Sequence, residues 1–197
     1  AFWNNRLYVA TGYAQVLAEH RRVLRAAFTA HNGVEIGTEG DSFFVAFAQA
    51  SDAVAAATDG QHGLDGGPVQ VRMGLHAGEP LLTDVGYIGM VVHRAARIAG
   101  ASHGGQVLLS QTVADLVGDR WPADVTLRDL GNVRLKDLAS PEHVYQVLHP
   151  QLRKDFPALR SLEATPNNLP QQLTSFIGRE KAMAELAALL AKTRLLT

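Results

Sequence analysis

Two short stretches of this chain carry side chains whose types and spacing could do chemistry. Gly40-Asp41 is a turn signal between two runs rich in β-formers, Val34 to Thr38 and Phe43 to Phe47. A carboxylate that follows glycine in such a hairpin can aim its oxygens outward at a cation. His93 and Arg97 stand four apart in an apolar-periodic segment, so both project from one face of a helix. Read singly, each also fits a plain role: Gly40-Asp41 as an ordinary turn, Arg97 as a surface arginine on an amphipathic helix, His93 as a half-buried helix residue. Lys136 fits a solvated lysine in a late hairpin equally well.

Several chemistries are excluded. The chain of 197 residues has no cysteine, so disulfides, Cys-based zinc sites and thiol nucleophiles are impossible. Its eight histidines include no HExxH pair, and neither GxSxG nor GxxxxGK[ST] occurs. His76-Ala77-Gly78-Glu79 reads as a strand end and turn. Lys+Arg is 18 and Asp+Glu is 19, a balance that argues against direct nucleic-acid binding or a membrane-surface protein. No apolar run approaches the roughly 20 residues of a membrane span, and no signal peptide is legible, so a cytoplasmic location is expected.

The elements that must position these residues are readable from period and punctuation. A 3.6-residue period runs from Tyr13 through Val16, Leu17, His20, Val23, Leu24, Ala27 and Phe28, and Asn32-Gly33 ends it. After the hairpin, Ser51 is a plausible N-cap for an Ala-rich helix to about Leu64. Val69 to His76 alternates as a strand, Gly78 to Gly89 reads as a loop, and Met90 to Ala101 as a helix. A short strand, Gln106 to Leu109, precedes a helix capped by Ser110, and Thr126 to Leu135 and Val144 to His149 are the last strands. The order predicts an α+β fold with helices covering one face of a mostly antiparallel sheet. From Pro150 the composition shifts to proline and asparagine, and residues 150–176 read as a linker or extended arm. Residues 178–192 are helical again.

Five segments, in order, resemble the catalytic domain of class III adenylate and guanylate cyclases. They are Gly37 to Phe47 (GTEGDSFFVAF), Val69 to Gly78 (VQVRMGLHAG), Gly86 to Ile98 (GYIGMVVHRAARI), Gly104 to Ser110 (GGQVLLS), and Leu130-Gly131 through Leu135-Lys136-Asp137-Leu138. The resemblance covers about residues 13–149 and implies a ferredoxin-like sandwich. A second resemblance, Pro166-Asn167-Asn168-Leu169-Pro170 followed by Phe176-Ile177-Gly178-Arg179-Glu180, is to the entry of STAND-type ATPase modules. Those follow cyclase-like domains in large bacterial transcriptional regulators. The implied organisation is a cyclase-like domain over 1–149, the arm over 150–176, and the start of a truncated ATPase-type module over 177–197.

The resemblance implies closure of the ribose 3′-hydroxyl of ATP or GTP onto the α-phosphate, with Mg²⁺ or Mn²⁺ as cofactor and sites shared across a homodimer. By position Asp41 matches one metal-binding Asp, Arg97 the phosphate-binding Arg, and Lys136 a basic residue that contacts the triphosphate. Departures are equally specific. No carboxylate in residues 1–12 matches the first metal Asp, and the strand that should carry it is expected to be missing, leaving a sheet edge to be covered. Gly37 stands where a base-reading Lys is expected, Gly86 where the base-reading Asp or Thr is expected (Asp84 is close), and His93 where an Asn holds the ribose. The expectation is a weakly active purine nucleotide cyclase, ATP ahead of GTP. The alternative is a catalytically degenerate sensory or dimerisation head of a transcriptional regulator.

Overall fold

The computed structural model describes residues 10–84 and 86–161. The first element, α1 (Ala10–Ala30), buries the stripe the period foretold: His20, Leu24 and Ala27 are inside, with Val16, Val23 and Phe28 half-buried beside them. Asn32 takes the left-handed conformation, φ 58°, and turns the chain into an antiparallel hairpin of β1 (Val34–Glu39) and β2 (Ser42–Ala46). The register slips between Glu35 and Gly37. Arg21 donates to the Gly40 carbonyl at 2.8 Å and Arg25 pairs with Glu35 at 2.8 Å, strapping α1 to the hairpin.

α2 (Ala50–Gly63) follows, with Gln49 rather than Ser51 at its N-cap position and no side-chain cap. The strand expected over Val69 to His76 contracts to β3 (Met73–Leu75). The expected loop at 78–89 contains a small hairpin, β4 (Leu81–Thr83) and β5 (Gly86–Ile88). Then come α3 (Met90–Ala101), β6 (Val107–Ser110), α4 (Gln111–Val117), β7 (Thr126–Val133) and β8 (Glu142–Leu148). Ser110 stands at the N-cap of α4, but its hydroxyl bonds to His76 Nδ1 at 2.8 Å instead of capping the helix.

The main sheet has the order β3-β6-β8-β7, with β3 parallel to β6 and the other pairs antiparallel. The α+β class is as expected, but the helices divide between the two faces. Val107 and Leu109 of β6 pack with Val54, Ala57, Val113 and Val117 from α2 and α4. Leu108, between them, packs with Ile98 and Ala101 of α3 on the opposite face. This is the two-residue period of a strand buried on both sides. Leu108 and Leu109 are 0% exposed, and each contributes about 1.5–3 kcal/mol by leaving water.

α3 lies so close to the sheet that only glycine fits beneath it. A Cβ on Gly74 would overlap the backbone nitrogen of Ala99 and stand 2.7 Å from its Cα and 2.8 Å from the Ala95 carbonyl oxygen. On either side of Gly74, Met73 and Leu75 pack into the core of the opposite face.

The arm after Pro150 has no regular element through residue 161, yet it docks on the domain. Gln146 donates to the Lys154 carbonyl at 2.7 Å, the Arg160 amide donates to the Ala101 carbonyl at 3.0 Å, and Phe156 stacks on His103. The remainder of the arm and the segment compared with ATPase modules lie outside the described residues.

The β3–α3 contact yields a direct expectation. Gly74→Ala must push α3 away from the sheet, at a cost of about 1–3 kcal/mol. A lowered urea midpoint with an unchanged denaturant slope would record it; an unchanged midpoint would show that α3 is not seated on Gly74.

Candidate functional site

The open edge of β2 and the open edge of β3 face a cavity of about 1270 Å³. Its lining includes Gly37, Glu39 and Asp41 from the β1–β2 hairpin and Arg72, His76 and Glu79 from the β3 segment. Its walls are largely apolar, from β2, α2 and the Ala95–Ala99 side of α3. Gly40, φ +61°, makes the tight turn that presents Asp41. The Asp41 carboxylate interacts electrostatically with the Arg72 guanidinium and with His20. Burial pulls Arg72 below the usual arginine range, and Asp41 opposes that shift.

A second group of charges lies at α3. Arg97 donates to Asp137 Oδ2 at 2.6 Å, which brings the guanidinium beside the turn that carries exposed Lys136. That turn is fixed from below: Asp137 has a left-handed φ of 61°, while Leu135, 2% exposed, and Leu138 anchor it in the core under α3. His93, one helical turn before Arg97, is exposed. The structure thus joins Arg97 with Lys136 through Asp137, and puts Gly37 with Asp41. Arg97, His93 and Lys136 do not line the cavity that holds Asp41.

Gly37 lies opposite Phe44 with nothing within 4 Å of where its Cβ would be, so it offers open space and backbone only. Gly86, φ +111°, closes the β4–β5 turn, where its carbonyl accepts from Thr83 Oγ1 at 2.9 Å. Its missing Cβ would sit 3.8 Å from Ile36, so the small hairpin packs beside β1.

The donor set does not fit a divalent ion. Among the described residues no three His, Asp or Glu side chains converge to hold a metal. Asp41 supplies one carboxylate, which already interacts with Arg72 and His20, and Glu39 and Glu79 of the same cavity do not converge with it into a metal-holding group. Mg²⁺ and Mn²⁺ need at least one more oxygen donor from the protein to be held well.

His20 is the residue that the sequence reading passed over. It counted only as one position on an apolar stripe. In the structure its ring is 1% exposed, tilted against Phe43 with centroids 5.9 Å apart, and neither ring nitrogen has a hydrogen-bond partner among the described residues. A lone polar residue in an otherwise apolar helix stripe was the available signal. Burial depresses its pKa below 6.5, with the Asp41 charge acting in the opposite direction. His76 is depressed by burial as well, opposed by Glu142 and assisted by Arg94.

Comparison with known proteins bears on what this architecture is. No family model matches the chain. Uncharacterized proteins of Mycobacterium tuberculosis and Mycobacterium bovis are 44% identical over 169 residues, covering 84% of this chain and 59% of theirs. The chain therefore spans about three-fifths of the length of those relatives. The adenylate cyclase of Mycosarcoma maydis is 28% identical over 189 residues, covering 77% of this chain and 8% of that protein. Among solved structures, the adenylate/guanylate cyclase/hydrolase from Silicibacter pomeroyi superposes with a TM-score of 0.63 at 26% identity, over 71% of this chain and 85% of that one. An adenylate cyclase from Trypanosoma brucei in its monomeric state gives 0.64 at 24% identity, over 75% and 84%. The described residues have the class III nucleotide cyclase fold.

The two depressed histidines set a pH dependence. The unfolded chain takes up protons at about pH 6.5, while folded His20 and His76 do so only at lower pH. Stability is therefore full above that value and falls as pH drops through it. His20→Leu should raise stability by about 1 kcal/mol by removing an unsatisfied buried polar ring. It should also flatten the loss between about pH 7.5 and 5.5 in urea titrations. A mutant curve parallel to wild type would show that His20 does not titrate in this window.

Proposed function

We propose that this chain is a purine nucleotide cyclase domain of low turnover. It converts ATP, ahead of GTP, to the 3′,5′-cyclic monophosphate and pyrophosphate in intracellular signalling, with each site built between two copies. The observation that carries this reading is the separation of the charged groups. Asp41 stands at one hairpin tip and lines the cavity, while Arg97, paired with Asp137, and Lys136 do not line it.

A two-fold pair brings the Asp41 side of one copy to the α3 side of the other. Leu81, Leu82, Ile88 and Met90, between 45% and 67% exposed, form an apolar surface around the small hairpin and the start of α3 that supports such pairing.

In the shared site the ribose 3′-oxygen bonds to the α-phosphorus, and the bond from that phosphorus to the β-phosphate oxygen breaks. Pyrophosphate departs and the hydroxyl proton passes to solvent. Arg97 exchanges Asp137 for the α-phosphate, whose oxygens accept from the guanidinium as charge develops. Lys136 adds a point charge along the triphosphate. His93 donates one hydrogen bond to the ribose. Gly37 and Gly86 bring no side chain to the base, so discrimination between adenine and guanine is weak. The chemistry of the fold family calls for a divalent ion. Among the described residues the carboxylates do not converge to hold one, and that shortfall sets the expectation of slow turnover.

One observation favours a second reading. With no carboxylates converging among the described residues and with Arg97 engaged by Asp137, the domain also suits a non-catalytic dimerisation and sensory head of a transcriptional regulator.

Assay of cyclic AMP from ATP with Mn²⁺ separates the two. The cyclase reading expects a small yield, abolished in Asp41→Ala and lowered by about 10²–10³ in Arg97→Ala. No product above background at high protein concentration leaves the second reading.

A further inference from the structure

Asp137 is an internal anion at the arginine that the proposed reaction needs for a phosphate. Leu135 and Leu138 pack against the core under α3, and the Leu138 amide donates to the Leu135 carbonyl at 3.3 Å. That bond closes a tight turn whose two central residues are Lys136 and Asp137. Lys136 is exposed, and Asp137 holds the left-handed conformation, φ 61°. Few side chains tolerate that backbone; glycine adopts it freely, and asparagine and aspartate are the usual exceptions. With both ends of the turn anchored, the Asp137 side chain reaches α3, where its Oδ2 accepts from Arg97 at 2.6 Å.

Two features make this contact exchangeable. The carboxylate takes one hydrogen bond from a group that has five N–H donors. Both side chains also face water, 39% and 56% exposed, and an ion pair in that setting yields readily to a competitor. Arg94, three residues earlier on the same helix, faces the half-buried Glu142 at 3.8 Å instead. Of these two arginines, Arg97 is the one held by an exposed carboxylate on a turn that also carries a lysine.

The structure assigns Asp137 as a positioning residue, a latch that occupies Arg97 until a polyphosphate displaces it. The inference rests on the reading that Arg97 receives a phosphate of the bound nucleotide. A displacing ligand has to outcompete a carboxylate, so it must bring dense negative charge, and it gains by meeting Lys136 on the adjoining residue. A polyphosphate does both, with one phosphate at Arg97 and another at Lys136. The latch lowers the apparent affinity in proportion to the fraction of molecules in which Arg97 is engaged. Once pyrophosphate departs, Asp137 competes again for the guanidinium as a tethered anion, which favours release of the remaining phosphodiester.

The test is titration with sodium tripolyphosphate in EDTA, followed by NMR of the Arg97 Nε–H and of the amides of residues 134–138. Asp137→Asn and Asp137→Gly remove the charge while each suits the left-handed backbone, so either one serves if the other folds poorly. Both are expected to shift the Arg97 signal before ligand is added and to tighten tripolyphosphate binding by about 3- to 10-fold. In an Arg97→Ala background the same substitutions are expected to change affinity by less than about 1.5-fold. A gain of equal size without Arg97 overturns the latch, because Asp137 then acts only as a general repulsive charge. Unchanged affinity in both variants overturns it too, as does the absence of tripolyphosphate binding in every protein. Cyclic AMP yield from ATP is measured on the same samples. Tighter binding without product keeps the latch and removes the cyclase reading; product without tighter binding does the reverse.

Discussion

β6 is the constraint on which the rest of the domain is built. Its four residues are all buried, and Val107, Leu108 and Leu109 alternate between two separate cores. Because Leu108 faces α3 while Val107 and Leu109 face α2 and α4, a slip of one residue would exchange the two helical layers. β6 also pairs with β3 on one side and β8 on the other, so it fixes the height of α3 above Gly74 and the position of the 135–138 turn under Arg97. The placement of the site arginine is therefore a matter of hydrophobic packing several residues away from it.

The charged groups follow a different logic from the core. Arg97 and Asp137 are both substantially exposed, and a pair in that setting contributes little to stability. What the pair does is hold an orientation: a guanidinium tethered to a turn whose backbone is locked by Leu135 and Leu138. Asp41, by contrast, stands where the apolar cavity meets the surface and answers Arg72 and buried His20. The attraction between Asp41 and Arg72 is a local arrangement of the folded chain, and an incoming cation must compete with it.

Much of this was legible in the residues. The stripe on α1, the Gly-Asp turn and the limits of α3 follow from period and from glycine punctuation. The pairing of Arg97 with the 136–137 turn was not legible, because it depends on two segments forty residues apart meeting across a core. The division of helices between two faces was hidden for a related reason: four consecutive buried residues in β6 carry no alternation to read. Ser51 and Ser110 both looked like helix caps from their type alone. Gln49 holds the first position, and the second serine spends its hydroxyl on His76, a partner 34 residues away. The small hairpin at 81–88 was read as loop because its strands are only three residues each and glycines bracket them. The strand expected over 69–76 shrinks to three residues because only Met73 to Leu75 find a partner in β6.

The docked arm has a mechanical consequence. Its backbone is tied to the last residue of α3 through Arg160 and Ala101, and its ring at Phe156 lies against His103 just beyond that helix. The arm is thus fastened at the end of the very rod that carries Arg97 a turn upstream. A displacement of the docked arm at residues 156–160 acts on that rod through these two contacts, and the guanidinium sits on its short lever arm.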